Sequence, residues 1–551
     1  MYLLEKNINR RGIPEAILVF VCIFSFFIHN GVIYPDSMES QNLVSAREMA
    51  ESGDWLSPTV NGVLNFEKPP LPIWISACIE KLSPDNLVFH RCFAGLMATL
   101  MALFVYFLTA FQTKSRFIGL AAGIIFSTSI NTILISRMAI WDIYCHSFML
   151  GAILCFIHGY EQRGKNHLWF ISAGALIGLS FLSKGPVAIY SMLIPFFIAY
   201  FSVFRRSCKE VSGEHKFYPI VLMIITACAI GLWWPVAAYM HHPAEFIASG
   251  KAVVMQWFTD RVRPWYYYWN FFVESGLWCI FFLMSLNIPY WYKFIGHKRH
   301  YLSSAVWCLT GLLLLSLIPE KNPRYLLPLL VPMSQMTAFL LHFWGKCAKD
   351  HFFPDKTKRY WHWNSWLLGI LVLISPIINF FVLYRTEMIP LNFYLISSAL
   401  LFIIGAFLLV CAMKKYIFGF CYCILFFVAC VSVYILPSIA DLFSVLNKNG
   451  FDRISEIEEL HNVPFYCDEN ESIRVNLIYE TRKNITSIAF DKQMPQPPFA
   501  VIHHTPIESI IPQEKLNTLK IKEIGQFNDN YRIEREIQHD DNYYKTITLF
   551  Y

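Results

Sequence analysis

The sequence predicts an α-helical polytopic membrane protein of about thirteen transmembrane helices, with a small C-terminal α/β extracytoplasmic domain. Three observations predict it. The 551 residues are 56% hydrophobic and only 15% charged, where a soluble domain carries about 25% charged residues. Mean hydropathy is +0.42. The apolar residues also fall in long runs that a polar tail of about a hundred residues does not share. Together these exclude a disordered chain, a disulfide scaffold and a nucleic-acid binder. The fifteen cysteines lie mostly inside apolar runs, with no CxxC pair or Cys/His zinc spacing, and read as small apolar residues.

Runs long enough to cross about 30 Å of hydrocarbon occupy 14–33, 88–110, 116–134, 139–158, 167–182, 185–204, 217–240, 269–290, 301–318, 325–344, 365–384, 391–412 and 415–437. The first has the basic flank of a signal peptide (Lys6, Arg10, Arg11) but no small-residue cleavage site after Phe27. It therefore reads as an uncleaved helix. With the N-terminus cytoplasmic, every inner loop is basic: Lys114/Arg116, Arg163/Lys165, Arg205/Arg206/Lys209/Lys216, Lys293/Lys298/Arg299, Lys346/Lys349/Lys356/Lys358/Arg359 and Lys414/Lys415. An odd number of spans then places the tail on the outer face. Residues 1–437 form the membrane domain, with outer loops 34–87 and 241–268, and 438–551 form the outer α/β domain. In the tail, 451–462 has helical spacing; 474–480, 498–503, 518–523 and 542–550 have strand alternation.

The outer loops carry the chemistry. In the first, Asp36 follows the first span, and SMESQNLVSAREMAESGD has the spacing and charge of a helix lying at the membrane surface. Pro69, Pro70 and Pro72 then aim Glu67 and Lys68 in a fixed direction. The second holds HHPAEF, Lys251, Asp260, Arg261, Arg263 and the aromatic run PWYYYW. Shorter outer loops hold Arg137 and Asp142 in SRMAIWD, Lys184 in LSKGP, and Lys321, Arg324 and Tyr325 in PEKNPRYLLP. Ionisable residues at a membrane edge are costly and mark binding cavities.

Each has a plainer alternative. Asp36 caps the helix after it; Arg137 and Arg324 snorkel to headgroups; Lys184 is a helix-end lysine; PWYYYW is an interfacial belt; His241–His242 is a polar turn before Pro243. As a group, however, converging Lys and Arg suit a phosphate or pyrophosphate. A carboxylate beside them suits a general base, and cations near a lipid-linked sugar phosphate stabilise charge on the departing phosphate. No GxGxxG or P-loop is present.

Asp36, SAREMAESGDWLSPTVNGVLNFEKPPLPIW, LSKGPVA, RPWYYY and KNPRYLLPLLVP together resemble the GT-C class of integral-membrane glycosyltransferases. The match is to the ArnT type, the lipid A aminoarabinose transferases, and their protein O-mannosyltransferase relatives. The resemblance implies a polyprenyl (undecaprenyl) phosphate-linked sugar donor, a lipid A-like or other lipid, glycolipid or protein acceptor, and a bacterial inner-membrane location with periplasmic chemistry. It implies a catalytic role for Asp36 and donor-phosphate binding by Lys68 with Arg261 or Arg263. The charged cluster itself adds Asp142 as a second catalytic candidate, and Lys184, Lys321, Arg324 and Tyr325 as further donor-phosphate ligands. No cofactor is required by the resemblance. A divalent metal at Glu67 is the open alternative, and the histidine that accompanies it in the family is replaced here in VVMQWFTDRVRPWYYY. A monomer is expected, with no nucleic-acid partner. The competing class is a transporter or flippase of an anionic lipid or lipid-linked sugar. It calls for ionisable pairs at mid-membrane and broken helices in repeated halves, and no internal repeat is visible.

Overall fold

The computed structural model describes residues 12–161, 167–204, 217–259, 261–350, 352–385, 389–437, 450–471, 473–517, 519–528 and 544–551. Asp260 and the inner-loop cations Lys6, Arg10, Arg11, Arg163, Lys165, Arg205, Arg206, Lys209 and Lys216 lie outside them, as do 438–449 and the start of the strand expected over 542–550. The chain divides into two compact units. The first is Met1–Gly31, Phe66–Pro72 and Leu87–Ser438; the second is Val32–Asn65, Ile73–Asn86 and Ile439–Tyr551.

The first unit spans the membrane. Among the described residues nine helices are long and apolar enough to cross, from Leu87–Thr113 to Ile417–Ile435. Two bent pairs, Arg116–Ser127 with Ile130–Ser136 (65°) and Trp265–Ser285 with Ile288–Phe294 (83°), raise this to eleven if each is one span. Two shorter apolar helices, Ile13–Phe27 and Ile189–Val203, also occur. Each predicted stretch falls on one of these helices. The sequence over-reads length where a helix is short or bent, because hydropathy does not register a change of direction.

Arg137 does not snorkel. It is 1% exposed, and its guanidinium donates to the carbonyls of Ser25 (3.0 Å), Ile28 (2.6 Å) and Phe24 (3.3 Å). Arg91 donates to Asn30 O at 2.8 Å. Two cations thus close the C-terminal end of the first helix, where orphan carbonyls and the dipole favour positive charge.

The second unit is built on a five-stranded sheet. Strands β3 (Phe465–Asp468), β4 (Ile485–Ile488), β5 (Phe499–His503), β6 (Ile521–Asn528) and β7 (Tyr544–Phe550) follow β1 (Thr59–Val60) and β2 (Val63–Leu64) in the chain, and the order is β4-β3-β5-β7-β6. Strands β4, β3 and β5 are parallel, and β7 pairs antiparallel with β5 and β6. The strand expected over 474–480 is instead the helix Val475–Thr481. Its buried Leu477, Ile478 and Thr481 recur at helical spacing. Residues 451–462 form two short 3-10 turns, Phe451–Glu456 and Glu458–Leu460.

The helix Ser37–Ser52 is largely buried, unlike a solvated charged helix. Ten of its residues from Glu39 to Met49 are buried, Arg47 and Glu48 among them. Arg47 pairs with Asp85 at 2.8 Å and donates to Tyr479 O at 3.2 Å. Glu48 accepts from Thr59 Oγ1 at 2.5 Å and from Gly62 N at 3.2 Å. Gly62 (φ 73) and Asn61 (φ 57) form the two-residue turn between β1 and β2, where both central residues need positive φ.

Candidate functional site

The site in the first unit forms where helices end. The helix His167–Lys184 terminates at Gly185, which adopts φ 63 and returns its N–H to Phe181 O at 2.7 Å. Lys184 is therefore the last helical residue, at the negative end of the helix dipole. Asp142 lies in the first turn of Trp141–Glu161, at a positive end. The two helices pack together, and Lys184 Nζ meets Asp142 Oδ1 at 2.6 Å, with side-chain exposures of 6% and 0%. Asp142 Oδ2 is buried and has no hydrogen-bond partner among the described residues. His146, one turn on, contacts Asp142 O at 2.7 Å and Ser191 Oγ at 3.3 Å.

The FEKPP segment reaches this pair through packing. Trp141, next to Asp142, donates its indole N–H to Pro69 O at 3.2 Å. Phe66 lies against Trp234, His242 and Phe246, with ring centroids 5.8–6.2 Å apart. His242 is thus a packing residue beyond the end of Phe217–His241. Lys68, held between these anchors, is half-buried and makes no ion pair among the described residues. Burial, then the neighbouring Lys184 charge, pull its pKa below the ordinary lysine range; Glu67, Glu320 and Asp142 oppose this.

The other cations arrive through a backbone pairing. Val262 and Glu320 form an antiparallel bridge, flanked by Arg263 N to Pro319 O and Lys321 N to Arg261 O, both 3.2 Å. The second long loop and the PEKNPRY segment are thereby joined. Arg261 and Arg263 keep their side chains exposed. Lys321, 3% exposed, caps a helix end, giving its ammonium to Ser316 O (2.8 Å) and Ile318 O (2.5 Å), 5.5 Å from the Tyr268 ring centroid. Tyr325 places its ring 5.0 Å from Lys184 Nζ and donates its hydroxyl to Glu320 Oε1 at 2.6 Å. Arg324 lies within electrostatic reach of Asp142.

Lys68, Asp142, Lys184, Lys321, Arg324 and Tyr325 therefore assemble in one unit. Asp36 belongs to the second unit, where it accepts from Glu39 N at 2.9 Å as the cap of Ser37–Ser52. Glu67 is approached by Gln256 Nε2 at 3.5 Å, and no group of three or more His, Cys, Asp or Glu suited to a metal occurs among the described residues. The aromatic run divides. Trp265, Tyr266 and Trp269 are exposed, as a belt would be, while Tyr268 is buried and exchanges hydrogen bonds with Asn322 N (3.0 Å) and O (3.1 Å). Sequence reasoning missed Glu320, Tyr268 and His146. Glu320 stood beside Lys321, and Tyr268 in the aromatic run, both within motifs already singled out; nothing local marked His146.

This arrangement can hold an anion at the ends of apolar helices. A family model described as dolichyl-phosphate-mannose-protein mannosyltransferase matches residues 17–247. The structure is similar to that of ArnT from Cupriavidus metallidurans bound to undecaprenyl phosphate, with a TM-score of 0.66 over 97% of this chain and 96% of that one at 14% identity. This chain has an ArnT-like fold. The resemblance in the sequence is borne out by relatives as well. A protein of Aquifex aeolicus is 27% identical over 340 residues, 59% of this chain and 63% of its own length. An undecaprenyl phosphate-alpha-4-amino-4-deoxy-L-arabinose arabinosyl transferase of Pseudomonas fluorescens is 24% identical over 348 residues, 59% of this chain and 57% of its own. The chain thus spans less than two thirds of the length of these relatives.

Proposed function

We propose that this protein is a glycosyltransferase. It moves a sugar from an undecaprenyl phosphate-linked donor to a lipid acceptor, lipid A-like or another glycolipid, at the periplasmic face of a bacterial inner membrane. The observation that carries this is Lys68, a half-buried lysine that makes no ion pair among the described residues, set beside Lys184 at the ends of membrane helices. Two neighbouring lysines that do not pair with each other suit a lipid phosphate, which can accept from both. The names of the ArnT relatives and the bound lipid in the ArnT crystal support the same donor.

In this reading Lys68 and Arg324, with Arg261 or Arg263, hold the donor phosphate. Lys184 adds charge beside it, oriented by Asp142 and faced by Tyr325. The acceptor oxygen attacks the anomeric carbon, the bond from that carbon to the phosphate oxygen breaks, and undecaprenyl phosphate leaves with the electron pair. The cations stabilise the charge that builds there. On the resemblance, Asp36 takes the proton of a hydroxyl acceptor, or only orients an acceptor phosphate that is already ionised; the displacement inverts the anomeric centre. The N-terminus is cytoplasmic and residues 438–551 are periplasmic. No cofactor is needed for this step, and Glu67 is the residue to test first for a divalent metal.

Asp36→Asn and Lys68→Ala, expressed at the normal level, should each abolish transfer from an undecaprenyl phosphate-linked sugar, read by mass spectrometry of lipid A and surface glycans. Full transfer by either variant would overturn the assignment of that residue. Lipid flux in proteoliposomes without any sugar transfer would favour the transporter class instead.

A further inference from the structure

One span of the transfer site, Pro323–Lys349, borders a second site at its other end. The span Pro323–Lys349 has 27 residues, on the order of 40 Å at the rise of an α-helix. It begins at the cation cluster and ends at a cavity of about 330 Å³. The cavity wall is aromatic, with Phe294, Phe339 and Phe343 around His297 and His342. The rings are ordered against one another: His297 and Phe339 centroids are 6.3 Å apart, Phe294 and Phe343 5.9 Å. Lys346 lines the cavity and is exposed, and Asp350, one turn on, is the acid that lines it. Lys293, Lys298 and Arg299 flank the lining segment Phe294–His297 and are also exposed.

We propose that this cavity binds an anionic diacyl phospholipid, with its phosphate at Lys346 and acyl carbon against the phenylalanines. The combination selects the occupant. A soluble anion has no use for an aromatic wall, and a zwitterionic lipid leaves the excess of exposed cations unmatched. Basic pockets between helices at the headgroup level favour anionic lipid, and an aromatic-lined cavity of a few hundred Å³ takes an apolar body. No residue here belongs to the transfer site, so lipid binding can be read without any transfer assay.

The test uses full-length protein in dodecyl maltoside, supplied with phosphatidylglycerol, phosphatidylcholine or inorganic phosphate. Retention is followed by native mass spectrometry and stabilisation by thermal unfolding. Phosphatidylglycerol is expected to be retained and to raise the unfolding temperature, with the other two doing neither. Lys346→Gln should weaken retention about fivefold for one lost surface cation, while Lys346→Arg retains it. Phe343→Ala, assayed alongside, separates the wall from the charge and should also weaken retention. Equal retention of phosphatidylcholine, equal stabilisation by inorganic phosphate, or unchanged retention in both Lys346→Gln and Phe343→Ala would each overturn the proposal.

Discussion

A carboxylate removed from water keeps its charge only against a cation, and Asp142 has Lys184 at 2.6 Å. Asp142→Asn strands a buried ammonium and should cost about 3–5 kcal/mol of stability, read as a lower unfolding temperature. Asp142→Asn combined with Lys184→Met should recover much of that loss while transfer stays low. An unchanged unfolding temperature in the single variant would remove the pair from the structural account. Lys68 makes a different prediction because its pKa is lowered. Its charged form binds phosphate, so affinity for undecaprenyl phosphate is intact below the depressed pKa. It declines as pH rises through that value, before an ordinary lysine would titrate. Lys68→Arg stays charged throughout and should bind without that alkaline decline; identical pH profiles for the two proteins would contradict the role.

Among elements, the hairpin β1–β2 and the edge strand β4 belong to one construction. Asn61 donates from Nδ2 to Ile485 O and accepts from Ile485 N, both at 2.7 Å. A side-chain amide thus serves as the missing neighbour on a sheet edge. Asn61→Ala removes two hydrogen bonds worth roughly 1–3 kcal/mol together. Faster amide exchange is expected in Ile485–Ile488, with the rest of the sheet little changed; unaltered exchange there would show that the edge does not depend on Asn61. The helix Ser37–Ser52 teaches a related point. Its charge pattern is that of a solvated surface, yet Arg47 and Glu48 are buried because Asp85, Tyr479 O, Thr59 and Gly62 N satisfy them.

At the scale of the molecule, a ligand that binds only the folded form stabilises it by mass action. Undecaprenyl phosphate at about a hundredfold excess over its dissociation constant should add about 2.7 kcal/mol. The wild-type protein should therefore unfold at a higher temperature with the lipid than without it, and Lys68→Ala should lose the increment. Equal increments in both would place the phosphate elsewhere. The donor site and the cavity at Lys346 make separate predictions here, since one responds to a polyprenyl monophosphate and the other to a diacyl phospholipid.

The apolar stretches, the polar tail and the loops that carry Lys68, Lys184 and Lys321 were legible in the chain itself. The reason is physical: hydrocarbon demands long local runs of apolar residues, and any charge left at their ends stands out. Strands β3 and β4 were not legible, because four residues hold too little alternation. The helix Val475–Thr481 was misread because Val, Ile and Tyr favour strands until packing overrides propensity. Only the tertiary structure set Lys184 against Asp142, 42 residues apart in sequence, and Tyr325 against Glu320. It alone joined residues 32–65 and 73–86 to the tail in one unit. Partners across space depend on which helix ends meet, and a linear pattern of charges carries no information about that.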